Sequence, residues 1–223
     1  LSYSDDAVGF NNGMVKGVPE KQPIFSDQHI DKAMPQVGTC IHEVFEFIAS
    51  GLVNGQPRLA PRSDAWRSRL QQLGVCSDNI DEAVAIVFDA VKTILTSSIA
   101  DWLFSSEHKA IKNEWPLTYQ SSSNDVKHFI IDRSFIDTDK TRWIIDYKTT
   151  QPGVSPTDEW LMKQVEQNTE QLHNYYRAVN SFDRQFNADV VNTQCALYLP
   201  LVDHLLLVDS PVSYTHLRAP ETK

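Results

Sequence analysis

Apolar residues in the first half of the chain recur every three or four positions, the spacing that lines one face of an α-helix. This spacing predicts a helix over residues 38–50, a second helix over 61–73 and a longer helix over 78–104. In the longest of these, the apolar stripe runs from Ile80 to Trp102. The folded part of the chain is therefore expected to begin with a helical segment.

After Lys109 the pattern changes to short runs rich in aromatic and β-branched residues, which are separated by polar turns. Three such runs, at 113–119, 126–136 and 142–148, predict consecutive strands. Another helix follows, for which we expect Ser155 to be the N-cap, and two more strands are predicted at 193–199 and 204–208. This order of elements predicts an α/β fold in which helices flank a central sheet.

The two ends of the chain differ in character from its middle. Residues 1–35 are polar, are interrupted by Gly and Pro, and lack sustained periodicity, so we expect a linker from an upstream region. Residues 212–223 (VSYTHLRAPETK) resemble a translated sequencing-library adapter, so we expect a non-native tail. The folded domain is then expected to occupy residues 36–211.

Composition excludes several classes of protein. Hydrophobic residues make up 41% of the 223 positions and charged residues 22%, as in ordinary globular proteins. No apolar run approaches the ~18 residues of a membrane-spanning helix, so we expect no membrane partner. The cysteines, Cys40, Cys76 and Cys195, are widely spaced, so we expect no disulfide framework, zinc site or iron–sulfur cluster, and a reducing, cytoplasmic location.

Two aspartates in the central hairpin carry the main chemical signal. If residues 137–141 form the loop, Asp132 lies directly opposite Asp146, and Lys148 shares the face of Asp146. Facing carboxylates can lie on an exposed surface, share a proton or bind a cation. Both aspartates stand among apolar residues, where an unpartnered charge is costly, which favours a cation. Mg²⁺ suits oxygen ligands, and an adjacent lysine suits metal-assisted phosphodiester hydrolysis.

Around these residues the sequence resembles the PD-(D/E)XK nuclease superfamily, and most closely the nuclease domain of RecB/AddA-type exonucleases. The central motif is Asp132 followed by Asp146-Tyr147-Lys148. Four further segments match in the family's order: residues 38–42 (GTCIH), 114–117 (EWPL), 171–175 (QLHNY) and 196–199 (ALYL). The resemblance spans about residues 36–199, and Phe129 stands where the family often has glycine.

This resemblance implies a restriction-endonuclease-like core with a mixed central sheet, and the activity of a metal-dependent DNA nuclease. The implied metal ligands are His42, Asp132, Asp146 and the backbone carbonyl of Tyr147, with Mg²⁺ as the ion and Mn²⁺ as a substitute. The implied catalytic residues are Lys148, Asp146, Asp132 and Glu114. The implied substrate contacts are Gln171 and Tyr175.

The resemblance also implies a wider context. It implies single-stranded DNA or duplex ends as substrate, helicase motor domains upstream in the same chain, and a partner subunit in a helicase–nuclease complex for double-strand-break repair and recombination. The net charge of −9 argues against strong DNA binding by this chain alone. Two alternatives stay open: a catalytically silent DNA-binding or scaffolding module of a repair helicase, and an α/β interaction domain whose motif matches are coincidental.

Overall fold

A computed structural model describes residues 30–53, 63–120, 125–153, 155–187 and 189–211. Helical segments are a 3₁₀ turn at Ile30–Ala33, α1 (Met34–Val53), α2 (Ser63–Gln72), α3 (Ile80–Thr96), α4 (Ser98–Leu103) and α5 (Asp158–Phe186). The strands are β1 (Lys109–Gln120), β2 (Val126–Ile136), β3 (Thr141–Tyr147), β4 (Asn192–Leu199) and β5 (His204–Val208). Residues 1–29 of the expected linker and the expected tail at 212–223 lie outside the described residues.

The five strands follow chain order across one sheet, from β1 to β5. β3 and β4 are parallel and the other neighbouring pairs are antiparallel, so the sheet is mixed, as expected. A parallel pair needs a long crossover connection, and α5 provides it. The predicted hairpin register is confirmed, because Ile136 pairs with Arg142 and Arg133 pairs with Ile145. The paired residues end at Arg133 and Ile145, and Asp132 and Asp146 are the next residues on the two strands.

Both faces of the sheet are covered by helices, which makes a three-layer α/β/α arrangement. Alternate residues of the central strands, including Ile145, Tyr147 and Tyr198, pack in the core formed with α1–α4. The residues between them, including Ile144 and Leu197, pack in a second core formed with α5. Burial on both faces explains the uninterrupted apolar runs at 143–145 in β3 and 195–199 in β4. None of the described helices is long and apolar enough to cross a bilayer.

Several predicted helix ends differ from the structure. The prediction of one helix over 78–104 is wrong, because Ser97 adopts an extended conformation and ends α3. The Ser97 hydroxyl then caps α4 by accepting hydrogen bonds from the backbone N–H groups of Ile99 and Ala100. The N-cap of α5 is Thr157 rather than Ser155. Within the described residues, helical structure is already present at Ile30, ahead of the predicted start at residue 38, because Ile30 and Ala33 extend the buried stripe.

Two arginines are almost completely buried against the sheet. Arg142 of β3 makes a bidentate ion pair with Asp183 of α5, with N–O distances of 2.9 and 2.8 Å. Arg133 of β2 donates to the backbone carbonyl of Leu103 at 2.9 Å, and its guanidinium lies 4.6 Å from the ring centroid of Phe104. These contacts fix β2 and β3 against helices on opposite faces of the sheet.

Candidate active site

The side chains that the sequence singled out come from five separate elements. His42 lies in α1, Glu114 in β1 and Asp132 in β2. Asp146 lies near the end of β3, and Lys148 follows that strand directly. Gln171 and Tyr175 lie one turn apart on α5. The structure brings these side chains into two adjoining clusters, which the two aspartates join.

The first cluster could hold a cation. His42 Nδ1 lies 3.6 Å from Asp132 Oδ1 and 3.9 Å from Glu114 Oε1. One potential ligand atom from each of these three residues lies within 4.8 Å of the others. The second oxygen of Asp132 accepts a hydrogen bond from the backbone N–H of Tyr147 at 2.6 Å, which fixes the carboxylate. Two carboxylates and an imidazole in this arrangement are suitable ligands for a divalent ion.

The second cluster is organised by Gln171. Its amide nitrogen donates to Asp146 Oδ1 at 2.9 Å and to the Tyr175 hydroxyl at 2.6 Å. Its amide oxygen accepts from Lys148 Nζ at 3.3 Å. Lys148 Nζ also lies 2.8 Å from Asp146 Oδ2. The glutamine therefore positions the acid, the ammonium group and the phenol relative to one another.

Asp146 is a buried carboxylate whose two oxygens have different partners. The residue is only 2% exposed; its Oδ1 accepts from Gln171, and its Oδ2 forms an ion pair with the Lys148 ammonium at 2.8 Å. A buried carboxylate needs partners of this kind. A metal ion at the neighbouring cluster of His42, Asp132 and Glu114 would add a further positive charge, so the donor set fits the ion that the resemblance implies.

The electrostatics of the two aspartates support this fit. Burial, and then the charge of Asp146, raise the pKa of Asp132 to about 7, although the Tyr147 N–H and Lys148 act in the opposite direction. Burial also raises the pKa of Asp146, which Lys148 partly offsets. Two buried carboxylates this close disfavour a second negative charge, and a bound cation removes that penalty.

His42 and Glu114 are also shifted by burial. Burial lowers the pKa of His42, although the charges of Glu114 and Asp146 act in the opposite direction. A neutral imidazole has the lone pair that metal ligation requires. Burial, and then the charge of Asp132, raise the pKa of Glu114. Tyr147 packs edge-on against His42, with ring centroids 5.6 Å apart, which holds the imidazole beside β3.

Two backbone features of the site were not predicted from the sequence. Glu114 has a φ of 43°, which is uncommon and strained for a non-glycine residue. In β2, Ile131 packs in the α5 core whereas Phe135 packs in the opposite core, so the regular alternation of faces is broken between these two residues. No residue type in this segment signals either feature.

Gly38, from the GTCIH segment, has a structural role next to the site. A Cβ atom at this position would lie 3.0 Å from the Thr149 hydroxyl, which is closer than ordinary van der Waals contact. Glycine therefore allows α1 to approach the segment that follows Lys148. A glycine inside a helical pattern is the sequence signal for such an approach.

The fold is a three-layer α/β domain. Its candidate site combines several carboxylates with one lysine and could bind a cation. Comparison with protein-family models matches residues 13–216 to the PD-(D/E)XK nuclease superfamily, and the chain belongs to that superfamily. A comparison with curated proteins finds no match. The predicted superfamily and fold class are thus confirmed.

Proposed function

We propose that this chain is a Mg²⁺-dependent DNA nuclease domain of the RecB/AddA type, from a helicase–nuclease that acts in double-strand-break repair and recombination. The observation that carries the proposal is the cluster of His42, Asp132 and Glu114, whose potential ligand atoms lie within 4.8 Å of one another. It lies beside the Asp146-Tyr147-Lys148 motif, in which Asp146 is 2% exposed. Membership of the nuclease superfamily supports hydrolysis of phosphodiester bonds by this centre.

The proposed metal ligands are His42, Asp132, Asp146 and the backbone carbonyl of Tyr147. Their oxygen-rich donor set suits Mg²⁺, and the imidazole is compatible with Mn²⁺ as a substitute. The ion would supply Lewis acidity that favours negative charge on the reacting phosphate. Glu114 adds a third carboxylate at the edge of this set, 3.9 Å from His42 Nδ1.

The remaining side chains would act on water and on the substrate. Lys148, which is held by Asp146 and Gln171, would orient the attacking water and offset charge that develops on the phosphate. The water oxygen would bond to phosphorus as the bond to the 3′ oxygen breaks. A proton from the water would end on that 3′ oxygen, so the products would be a 5′-phosphate and a 3′-hydroxyl. The Tyr175 hydroxyl oxygen accepts a hydrogen bond from the Gln171 amide, so the hydroxyl proton is free to be donated to another group. We propose that a phosphate oxygen of the substrate accepts it.

Cleavage of single-stranded DNA in the presence of Mg²⁺ tests this proposal. We expect Lys148→Ala and Asp146→Ala each to lower the rate by about 100-fold or more, as is typical when a group that stabilises the transition state is removed. Lys163→Ala, an exposed lysine on α5, is the matched control and should cleave at the wild-type rate. Circular dichroism checks that each variant folds. Equal activity of the wild type and both site variants would reject the assignment.

The alternative is a catalytically silent DNA-binding or scaffolding module of a repair helicase. The ion pair of Lys148 with Asp146 favours it, because this contact balances both charges without a metal ion. Calorimetric titration with Mn²⁺ separates the two functions. A nuclease centre should bind the ion and lose that binding in Asp132→Asn, whereas a scaffold would give no heat of binding in either protein.

A further inference from the structure

A cavity of about 590 Å³ opens beside the candidate metal centre, and none of the proposed catalytic steps uses it. It lies between the first turn of α1, the segment that follows β3 and the first two turns of α5. Residues that line it include Met34, Pro35, Thr149, Thr150, Trp160 and Gln164. Its volume lies within the ~300–1,000 Å³ that is usual for ligand pockets.

Two of the segments that line the cavity also carry residues of the proposed site. Thr149 directly follows Lys148, and it contacts α1 at Gly38, one turn before His42. On α5, Gln164 precedes Gln171 by two helical turns, so both side chains project from the same side of the helix. Two turns correspond to about 10 Å along the axis. A polynucleotide held at the metal centre would therefore reach this cavity within a few nucleotides.

The lining suits a flat, largely apolar group with a polar edge. Trp160 offers a partly exposed indole, and Met34 and Pro35 add apolar surface. Gln164 is only 5% exposed, and its amide oxygen accepts from the Thr150 hydroxyl at 3.0 Å. This contact fixes the amide, whose nitrogen is a donor, and the edges of nucleobases carry acceptors.

A phosphate group suits this cavity poorly. Among the described residues that line it there is no lysine or arginine, and the Asp31 carboxylate is part of the lining. Aromatic side chains in nucleic-acid channels instead stack on bases, because every base has a π face.

We propose that this cavity receives one unstacked nucleobase of the strand being cut, with Trp160 as its stacking platform. The inference rests on the proposed nuclease function and specifies its substrate. A base inside a duplex is stacked and paired, so entry requires a single strand or an opened end. The preferred substrate is therefore single-stranded DNA, and an intact blunt duplex is a poor one. Trp160 is a positioning residue, which holds the strand rather than acting on the phosphate.

Steady-state cleavage of a single-stranded oligonucleotide is the first test. We expect Trp160→Ala to raise KM about tenfold with kcat nearly unchanged, because stacking contributes to binding rather than to chemistry. Trp160→Phe should largely restore the wild-type KM. Met162→Ala is the matched control, because Met162 lies two residues further along α5 and is 72% exposed. Equal KM values for Trp160→Ala and the wild type would overturn the inference.

An abasic scan of the oligonucleotide identifies the base that enters the cavity. In the wild type, removal of one base near the scissile bond should raise KM about tenfold, which is the cost of one lost stack. In Trp160→Ala the same abasic site should add no further cost, because the platform is already missing. A penalty of equal size in both proteins would contradict the assignment of Trp160.

A binding measurement keeps this inference separate from the nuclease proposal. The fluorescent base analogue 2-aminopurine replaces the base that the abasic scan identifies. If no cleavage occurs, it is placed in turn at each position near the end of the oligonucleotide. Binding in EDTA should quench the 2-aminopurine fluorescence. Trp160→Ala should abolish the quenching and Met162→Ala should retain it. Quenching without cleavage in any metal would reject the nuclease proposal alone, whereas cleavage without Trp160-dependent quenching would reject the base cavity alone.

Discussion

At the scale of single residues, one buried nitrogen in the described part of the chain, His108 Nδ1, has no hydrogen-bond partner. It lies in the core beneath the sheet. His108 Nε2 donates to the backbone carbonyl of Trp102 at 2.6 Å, and its ring stacks on Phe135 with centroids 3.9 Å apart. If Nδ1 were protonated, its N–H group would have no hydrogen-bond acceptor among the described residues. The neutral form of the imidazole is therefore favoured.

His108 should make the stability of the protein depend on pH. Burial lowers its pKa below the ordinary value of 6.5, although the hydrogen bond to Trp102 acts in the opposite direction. Below pH 6.5 the unfolded chain then binds more protons than the folded chain, so the free energy of unfolding falls as the pH falls. We expect His108→Gln, which keeps a donor but cannot titrate, to flatten this dependence between pH 7 and 5.

Urea unfolding at several pH values measures this effect. His128→Gln is the control, because His128 is an exposed histidine on β2. Burial also lowers the pKa of His42, so some pH dependence should remain in His108→Gln. The prediction is wrong if the two variants lose stability in parallel as the medium is acidified.

At the scale of elements, local patterns predicted the hairpin well. β2 was predicted with the observed bounds, because its apolar run ends at a polar turn. That turn closes with the Asp137 N–H donating to the Thr141 carbonyl, and the observed register from Ile136–Arg142 to Arg133–Ile145 is the predicted one.

Features that depend on distant contacts could not be predicted in this way. The break at Ser97 is one, because its hydroxyl donates to Asp203, which belongs to the turn between β4 and β5. The left-handed backbone at Glu114 is another, because only the surrounding sheet holds it. The cavity at Trp160 is a third, since α1 and α5 meet there from opposite ends of the domain. The sequence therefore indicated which residues form the candidate site, but not the neighbouring features of its shape.

The ion pair of Arg142 with Asp183 connects the central strand β3 to the last turns of α5. The two side chains are 1% and 5% exposed, so removal of one partner leaves a buried charge. We expect Asp183→Asn to lower the free energy of unfolding by about 3–5 kcal/mol, measured by chemical denaturation. The reason is that the Arg142 guanidinium would keep its desolvation cost without its counter-charge.

A surface pair of the same kind serves as the comparison. Glu43 and Arg69 also form a bidentate contact, but their side chains are 42% and 40% exposed. Solvent screens this pair, so Glu43→Gln should cost much less than Asp183→Asn. Replacing both buried partners, Arg142→Met with Asp183→Leu, should recover part of the loss. Similar costs for Glu43→Gln and Asp183→Asn would contradict the argument.

At the scale of the whole molecule, the net charge of the chain has the same sign as the charge of the proposed substrate. The chain carries a net charge of −9, and a DNA strand is a polyanion. The carboxylates of the candidate centre contribute to this charge, and a bound cation would neutralise only part of it. The affinity for DNA should therefore come from few contacts, chiefly the metal centre and the base cavity.

We expect this chain alone to bind a single-stranded oligonucleotide with a dissociation constant of about 1–100 µM near physiological salt, the range of weak nonspecific binding. Fluorescence anisotropy of the Lys148→Ala variant in Mg²⁺, which keeps the metal centre occupied while cleavage is slow, measures it. The logarithm of the affinity should fall only gently with the logarithm of the salt concentration, because few phosphates are neutralised. A nanomolar dissociation constant with a steep salt dependence would show a basic surface that this charge does not predict.

The candidate centre gathers side chains from α1, three consecutive strands and α5, so His42 and Gln171 lie far along the chain from the strand residues that they meet. No local fragment can contain it, because each loop must close before the ligand atoms meet. Helices and the central hairpin can form earlier from nearby contacts. A partly folded chain would thus show normal far-UV circular dichroism while it has no ion affinity, so metal binding reports on the last stage of folding.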